Sequence, residues 1–365
     1  MREAARNRRA AGRRVMLVSR VLEIGEAGPV AALQAFLAGL MQASGAPRLL
    51  APTVVQPGVV SPQVMAAGAD LSRVNPLLPL MHANAGAMLR ATMEQAAGFP
   101  VVAVVRPCEV RAAVELAKQG KLDLDKLILV GVDCLSTYEP DYWRRGSELH
   151  AGSPNWLEDE ALSLARTGQV RTDGYRLACE LCDRPSADYR AADVLVGLVG
   201  VANQETILIL ADETRDARWR LQALTDRQAT ERETVDREVT LWRLGERRKE
   251  AAAARLESLG LTDAYPGVIM AYMRKCTLCG ECVDACPQWS EELRAAVAQG
   301  KEAFIQALLN ATQRLASCSG CGMCQVHCPE GIPLSAIQRA LSQQIQQRMH
   351  YIAGRDVHDP LPWSV

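Results

Sequence analysis

The feature that most constrains this 365-residue chain is a cysteine run that occurs twice. Cys276-x-x-Cys279-x-x-Cys282-x-x-x-Cys286-Pro287 recurs as Cys318-x-x-Cys321-x-x-Cys324-x-x-x-Cys328-Pro329. In such a run three closely spaced thiolates wrap one iron–sulfur cubane, while the fourth lies beyond the turn and ligates the other cluster. The spacing therefore assigns Cys276, Cys279, Cys282 and Cys328 to one [4Fe-4S] cluster and Cys318, Cys321, Cys324 and Cys286 to a second. Zinc also takes Cys-x-x-Cys pairs, but a zinc site closes with four ligands and has no use for a third cysteine at the same spacing followed by Cys-Pro. His327, beside Cys328, reads as a neighbour of the cluster and not a ligand.

Between the two runs, Ser290 to Ser317 is rich in Ala, Leu, Glu, Gln and Arg, with Leu293, Val297, Phe304, Ile305, Leu308 and Leu309 at near-helical spacing. This predicts inserted helix where a compact bacterial ferredoxin would have a short connection. A final helix is expected from Leu334 to Arg348. The C-terminal part resembles the α-helical ferredoxins of heterodisulfide reductase small subunits and succinate dehydrogenase iron–sulfur subunits.

The balance of charge narrows the function classes. A net charge of −1 speaks against a nucleic-acid partner, although Arg2, Arg6, Arg8, Arg9, Arg13 and Arg14 crowd the first fourteen residues against Glu3 alone. That segment reads as a solvated, disordered tail. The apolar stretch Val15 to Val18 is too short for a signal-peptide core, and no run approaches the ~20 apolar residues of a membrane span. A cytoplasmic protein is expected, and with it metal ligation for most of the twelve cysteines in place of disulfides.

Upstream, Phe99 to Thr137 reads as a βαβ unit. Val101 to Val105 and Leu127 to Val132 are continuous apolar runs suited to buried parallel strands, and Glu109 to Gln119 between them has a helical pattern. Cys108 follows the first strand and Cys134 the second, at the carboxyl ends where open α/β sheets bind ligands. Cys179-x-x-Cys182 is expected to form a hairpin before the next strand, Val194 to Val199. These four cysteines suit a third [4Fe-4S] site, a zinc site, a thiol redox pair or plain burial. No Ser/His/Asp set or carboxylate pair points to hydrolysis.

Arg106-Pro107-Cys108-Glu109, Gly131-Val132-Asp133-Cys134 and Cys179-Glu180-Leu181-Cys182-Asp183, followed by Ala192-Asp193-Val194 and Gly197, resemble the beta subunit family of coenzyme F-420-reducing hydrogenases and dehydrogenases. The resemblance runs from about Met16 to Leu210. It implies that Cys108, Cys134, Cys179 and Cys182 hold a third [4Fe-4S] cluster next to an FAD. The family's Ser-Gly-Gly segment corresponds here to Gly25-Glu26-Ala27-Gly28-Pro29-Val30, so Gly25, Gly28 and Asn84 are the implied flavin contacts. Arg106, which ends the first strand beside Cys108, is a fourth candidate, placed either to stabilise a reduced cluster or a flavin anion or to form a structural salt bridge. Many relatives carry their ferredoxin motifs before this domain, whereas here they follow it.

The expected organisation is a basic tail (1–14), an α/β (α+β) domain with a mainly parallel sheet (15–211), a charged helical linker (212–266) and an α-helical dicluster ferredoxin domain (267–365). In the linker, Asp212 to Glu257 alternates charge and is expected to present a solvated helix face. The resemblance implies a subunit of a multi-component oxidoreductase that passes electrons between a soluble carrier or flavin and partner subunits. Those partners would be heterodisulfide-reductase-like, formate dehydrogenase or hydrogenase subunits, or ferredoxin. A flavin-free conduit between two such partners and a cluster-based oxygen or iron sensor are the alternatives.

Overall fold

The computed structural model describes residues 16–153, 155–171, 173–288, 294–296, 298–300, 302–303 and 313–362. The basic tail and the apolar positions of the expected inserted helix lie outside the described residues.

The chain begins with β1 (Leu17–Glu23), α1 (Gly28–Ser44), β2 (Arg48–Gln56) and β3 (Val59–Ala66). Next come α2 (Gly86–Gln95) and the βαβ unit read from the sequence: β4 (Val101–Val105), α3 (Pro107–Lys118) and β5 (Leu127–Val132). Then follow α4 (Pro140–Leu149), α5 (Trp156–Thr167), the one-turn α6 (Leu177–Glu180), β6 (Val194–Gly197), β7 (Thr206–Asp212) and α7 (Glu213–Arg218). The remaining elements are β8 (Arg227–Gln228), α8 (Glu231–Ser258), α9 (Pro266–Met273), α10 (Glu281–Asp284), α11 (Met323–Val326) and α12 (Leu334–Met349).

The strands form one sheet in the order β3-β2-β4-β5-β6-β7-β1-β8. The central pairs β2–β4, β4–β5 and β5–β6 are parallel, and both flanks are antiparallel. Every residue of β4, β5 and β6 is buried because helices cover both faces. Alternate strand residues sort onto the two faces. Val102, Val104, Ile128 and Val130 join Leu33, Phe36, Leu37 and Leu40 of α1 in one core. Val101, Ala103, Val105, Leu127 and Leu129 join Leu89 of α2 with Val110, Ala113 and Val114 of α3 in the other.

α8 is tied into both parts of the molecule. Its start is a capping box, with Thr230 Oγ1 accepting from the Glu233 amide and the Glu233 carboxylate accepting from the Thr230 amide. Leu244 enters the core on one sheet face. Ala252 and Leu256 enter a small C-terminal core with Leu177, Leu181, Ile332, Ile337 and Ala340, against which Cys276, Cys282, Cys324 and Cys328 pack. Much of the helix is solvated as its charge pattern implies, but Arg237 and Arg248 are buried. The pattern could not show this, because each is held by groups on the sheet far away in sequence.

The segment after α12 returns to α3. Both oxygens of the buried Glu115 carboxylate accept from the Tyr351 hydroxyl at 2.7 Å, and the Gly354 amide and Lys118 Nζ donate to it at 2.7 and 3.0 Å. A buried carboxylate is tolerable only when satisfied in this way.

Candidate metal centres

Cys108 is the second residue of α3, just past β4, and Cys134 lies two residues past β5. The parallel pairing of Val104 with Val130 brings both to one sheet edge. The Arg176 amide donates to the Thr137 carbonyl at 2.9 Å, and Tyr138 and Tyr175 form an isolated antiparallel bridge, which draws residues 175–182 alongside. The Cys134 amide closes the arrangement by donating to the Pro185 carbonyl at 2.6 Å. Cys179 lies on the one-turn helix α6, where a hairpin was expected, because its amide donates to the Arg176 carbonyl at 2.7 Å. Cys108, Cys134, Cys179 and Cys182 line one cavity, and Cys321 of the second run borders it as well.

All twelve cysteines are free thiols. Among the described residues, no three His, Cys, Asp or Glu side chains converge on a point as they would around a lone metal ion. Cys108, Cys134, Cys179 and Cys182 share the lining of one cavity, and four thiols are the donor set that a [4Fe-4S] cluster takes. Burial pushes the Cys108 thiol well up and the Cys134 thiol to about 11. For Cys182, burial acts upward, but Arg111 and Arg248 outweigh it and hold the thiol below its ordinary value. A cluster would displace those thiol protons on binding.

A ring of cations surrounds the same cavity: Arg106, Arg111, Arg176, Arg184 and Arg248. Arg176 Nη2 donates to the Cys321 carbonyl at 3.2 Å, and Arg248 Nη2 donates to the Cys134 carbonyl at 3.4 Å and to Ser136 Oγ at 3.1 Å. Thr137 Oγ1 lies 3.0 Å from Cys179 Sγ. Arg184 is pulled down to about 9, first by burial and then by the neighbouring Arg111 charge. This concentration of positive charge around four thiols fits an anionic guest, and a cluster bound by four thiolates is one.

The cysteines of the two C-terminal runs lie close enough to act on one another electrostatically. Cys282, pushed to about 11 by burial, next feels the charges of Cys276, Cys279 and Cys328. Cys324, pushed well up by burial, feels Cys321, Cys318, Cys286 and Cys282. Each of these two thiols feels cysteines of the opposite run as well as of its own. His327, which caps the end of α11, turns its Nδ1 toward the Met323 carbonyl at 3.0 Å, a local contact.

The four flavin candidates are distributed differently. Arg106 lines the thiol cavity, with Nη2 donating to the Leu78 and Leu80 carbonyls at 3.2 and 2.8 Å. Gly25 lies on the open loop between β1 and α1, and Gly28 is the first residue of α1. That loop is at the same sheet edge, but β1 is four strand positions from β4, about 19 Å at ~4.8 Å per strand. Asn84 is buried at the start of α2, where Oδ1 accepts from the Gly86 amide and Nδ2 has no partner among the described residues.

Residues 272–332 match the family model described as a 4Fe-4S dicluster domain. An F420-dependent formate dehydrogenase subunit beta from Methanocaldococcus jannaschii is 22% identical over 287 residues, covering 69% of this chain and 73% of the relative. An F420-dependent formate dehydrogenase 1 subunit beta from Methanococcus maripaludis is 26% identical over 216 residues, 50% of this chain and 52% of the relative. The chain resembles F420-dependent formate dehydrogenase beta subunits, with a 4Fe-4S dicluster domain near its C-terminus. A chain of the xenon-derivatised F420-reducing [NiFe] hydrogenase complex from Methanosarcina barkeri superposes with a TM-score of 0.49 at 14% identity, over 67% of this chain and 92% of its own length. These beta-subunit relatives belong to oxidoreductases. Among the described residues no helix is long and apolar enough to cross a membrane.

Sequence reading of this beta-subunit-like chain missed most of the arginine ring. Arg111 was within reach, since it stands one turn after Cys108 on the same face of α3. Arg176 and Arg184 flank the Cys179 pair closely enough to have been flagged. Arg248 carries no local signal, because only the packing of α8 brings it to Cys134.

Proposed function

We propose that this chain is the electron-transfer subunit of a multi-subunit oxidoreductase and holds three [4Fe-4S] clusters. The observation that carries the reading is the single cavity shared by Cys108, Cys134, Cys179 and Cys182, bordered by Cys321 of the dicluster domain and ringed by arginines. When bound, the clusters supply reversible one-electron storage. The protein supplies thiolate ligands, compensating charge and close spacing between the sites. Cys276, Cys279, Cys282 and Cys328 hold one cluster, Cys318, Cys321, Cys324 and Cys286 the next, and the Cys108 set the third. The exposed Cys279 puts the first of these at the surface, where a partner subunit can dock. A cytoplasmic location fits twelve uncombined thiols.

The relatives' names supply the carrier and partners to test: coenzyme F420, and formate dehydrogenase or hydrogenase subunits. An FAD version of the reading draws on the unpartnered Nδ2 of Asn84 and the open loop that leads from Gly25 to Gly28. A flavin-free conduit draws on the distance of that loop from Arg106, whose guanidinium is already engaged by Leu78 and Leu80. Among the described residues the four candidates do not converge on one cavity.

Anaerobic purification followed by iron, acid-labile sulfide and flavin analysis tests the proposal. About twelve irons per chain, four per cluster, is the expected result, and about eight would sink the third cluster. Extracted FAD selects the flavin version, and its absence the conduit.

A further inference from the structure

Two cavities lie back to back in this molecule. One is lined by Cys108, Cys134, Cys179 and Cys182, and the other by Cys318 and Cys324 together with Cys182. Arg111 and Arg184 are the two cations that border both. Arg111 is 6% exposed, with Nε donating to the Ser319 carbonyl in the second run at 3.0 Å and Nη2 4.0 Å from Cys182 Sγ in the other set. Arg184 Nη1 donates to the Ala353 carbonyl at 3.0 Å. The hydrogen bonds of both guanidiniums end on carbonyls and a thiol. The nearby Asp183 carboxylate, which also acts on Arg184, is hydrogen-bonded by Arg339 at 2.8 Å, so the charge of Arg111 above all is left to act on whatever the thiols bind. Close packing fixes this geometry. A Cβ on Gly354 would collide with Arg111, and one on Gly322, at φ +71°, would collide with Ala178 of α6. Arg248 differs, since of these two cavities it borders only that of the Cys108 set.

We infer that Arg111 and Arg184 are positioning residues shared by two clusters, the one on Cys108, Cys134, Cys179 and Cys182 and the one on Cys318, Cys321, Cys324 and Cys286, and that they raise both reduction potentials together. The inference rests on the three-cluster reading. Adding an electron adds negative charge, so a fixed cation nearby stabilises the reduced form. In a poorly solvated site that attraction reaches both clusters. A shared cation moves the two potentials in the same direction, so it alters the gap between them less than a cation facing one cluster alone.

The test is an EPR-monitored redox titration of the anaerobically purified full chain and of Arg111→Gln, Arg184→Gln and Arg248→Gln, with iron measured on each sample. Arg111→Gln and Arg184→Gln are expected to move two midpoint potentials to more negative values, and Arg248→Gln only one. Arg111→Gln with full iron that moves one potential or none overturns the inference. If Arg111→Gln loses iron, Arg184→Gln decides by the same criterion, with Arg111→Lys retaining iron as the check that charge and not shape is at issue. Eight irons in the unmodified chain would instead remove the three-cluster reading, and the inference with it, before any variant is compared.

Discussion

Arg237 of α8 forms a buried, two-pronged ion pair with Asp133, the residue immediately after β5, with Nη2 3.0 Å from Oδ1. Asp133 Oδ2 also accepts from the Leu198 and Val199 amides at 2.9 and 3.0 Å. Gly197 has no side chain to obstruct the guanidinium, which a Cβ there would meet at 2.9 Å. The pair anchors the long helix across the edge where Cys134 begins. Arg237→Ala leaves a buried carboxylate without its cation and is expected to cost about 3–5 kcal/mol. Arg232→Ala, which breaks an exposed pair with Asp236, should cost at most about 1 kcal/mol. Denaturant unfolding of both variants measures the difference, and equal losses would contradict the anchoring role.

Glu158 of α5 is 5% exposed, and burial raises its carboxyl above the ordinary range despite the 2.7 Å hydrogen bond from Asn75. For an acid with a raised folded pKa, the native state holds the proton more tightly than the unfolded chain. Its contribution to stability is therefore fully present below the unfolded value of 4.5 and declines as pH rises through the folded value. Glu158→Gln should keep the Asn75 contact and remove that decline. Melting temperatures from pH 4.5 upward should fall less steeply in the variant than in the parent, and parallel curves would exclude the effect.

Cys179→Ala removes one corner of the Cys108 set while leaving both C-terminal runs whole. Iron should fall by about four per chain, with the signals of the remaining two clusters preserved. Cys282→Ala should also remove about four irons but extinguish a different signal. Unchanged iron in Cys179→Ala would leave that set as ordinary thiols.

Gly322 precedes α11 at φ +71° and lies against Ala178 of α6. Alanine there meets both a left-handed backbone and a collision, and should destabilise the chain by about 2 kcal/mol or more. Because this contact holds the second run against α6, iron should be lost from both neighbouring sets. Calorimetry and iron analysis together check this. A variant that melts lower with full iron would show that the contact matters only for packing. Gly320→Ala is the control: it shares the positive φ at +72° but has open space around its Cβ.

The sequence by itself determined what is local. The duplicated cysteine run gives the dicluster region, because ligand spacing within one turn is set by the chain and not by the fold. The apolar runs from Val101 and Leu127 became buried parallel neighbours, because continuous β-branched stretches suit strands covered on both faces. The pairing of Cys108 with Cys134 followed from those two strands.

Tertiary structure decided what depends on elements meeting from far apart. The antiparallel flanks, with β1 between β7 and β8, come from long-range pairing that no short pattern encodes. Arg237 and Arg248 sit in a helix whose charges look solvated in sequence, and they are buried because Asp133 and the Cys134 carbonyl await them across the sheet edge. The approach of Cys321 to the Cys108 set likewise depends on α6, α8 and α12 closing one small core. An arginine's sequence neighbours show that it carries charge, and only the fold shows which anions that charge will face.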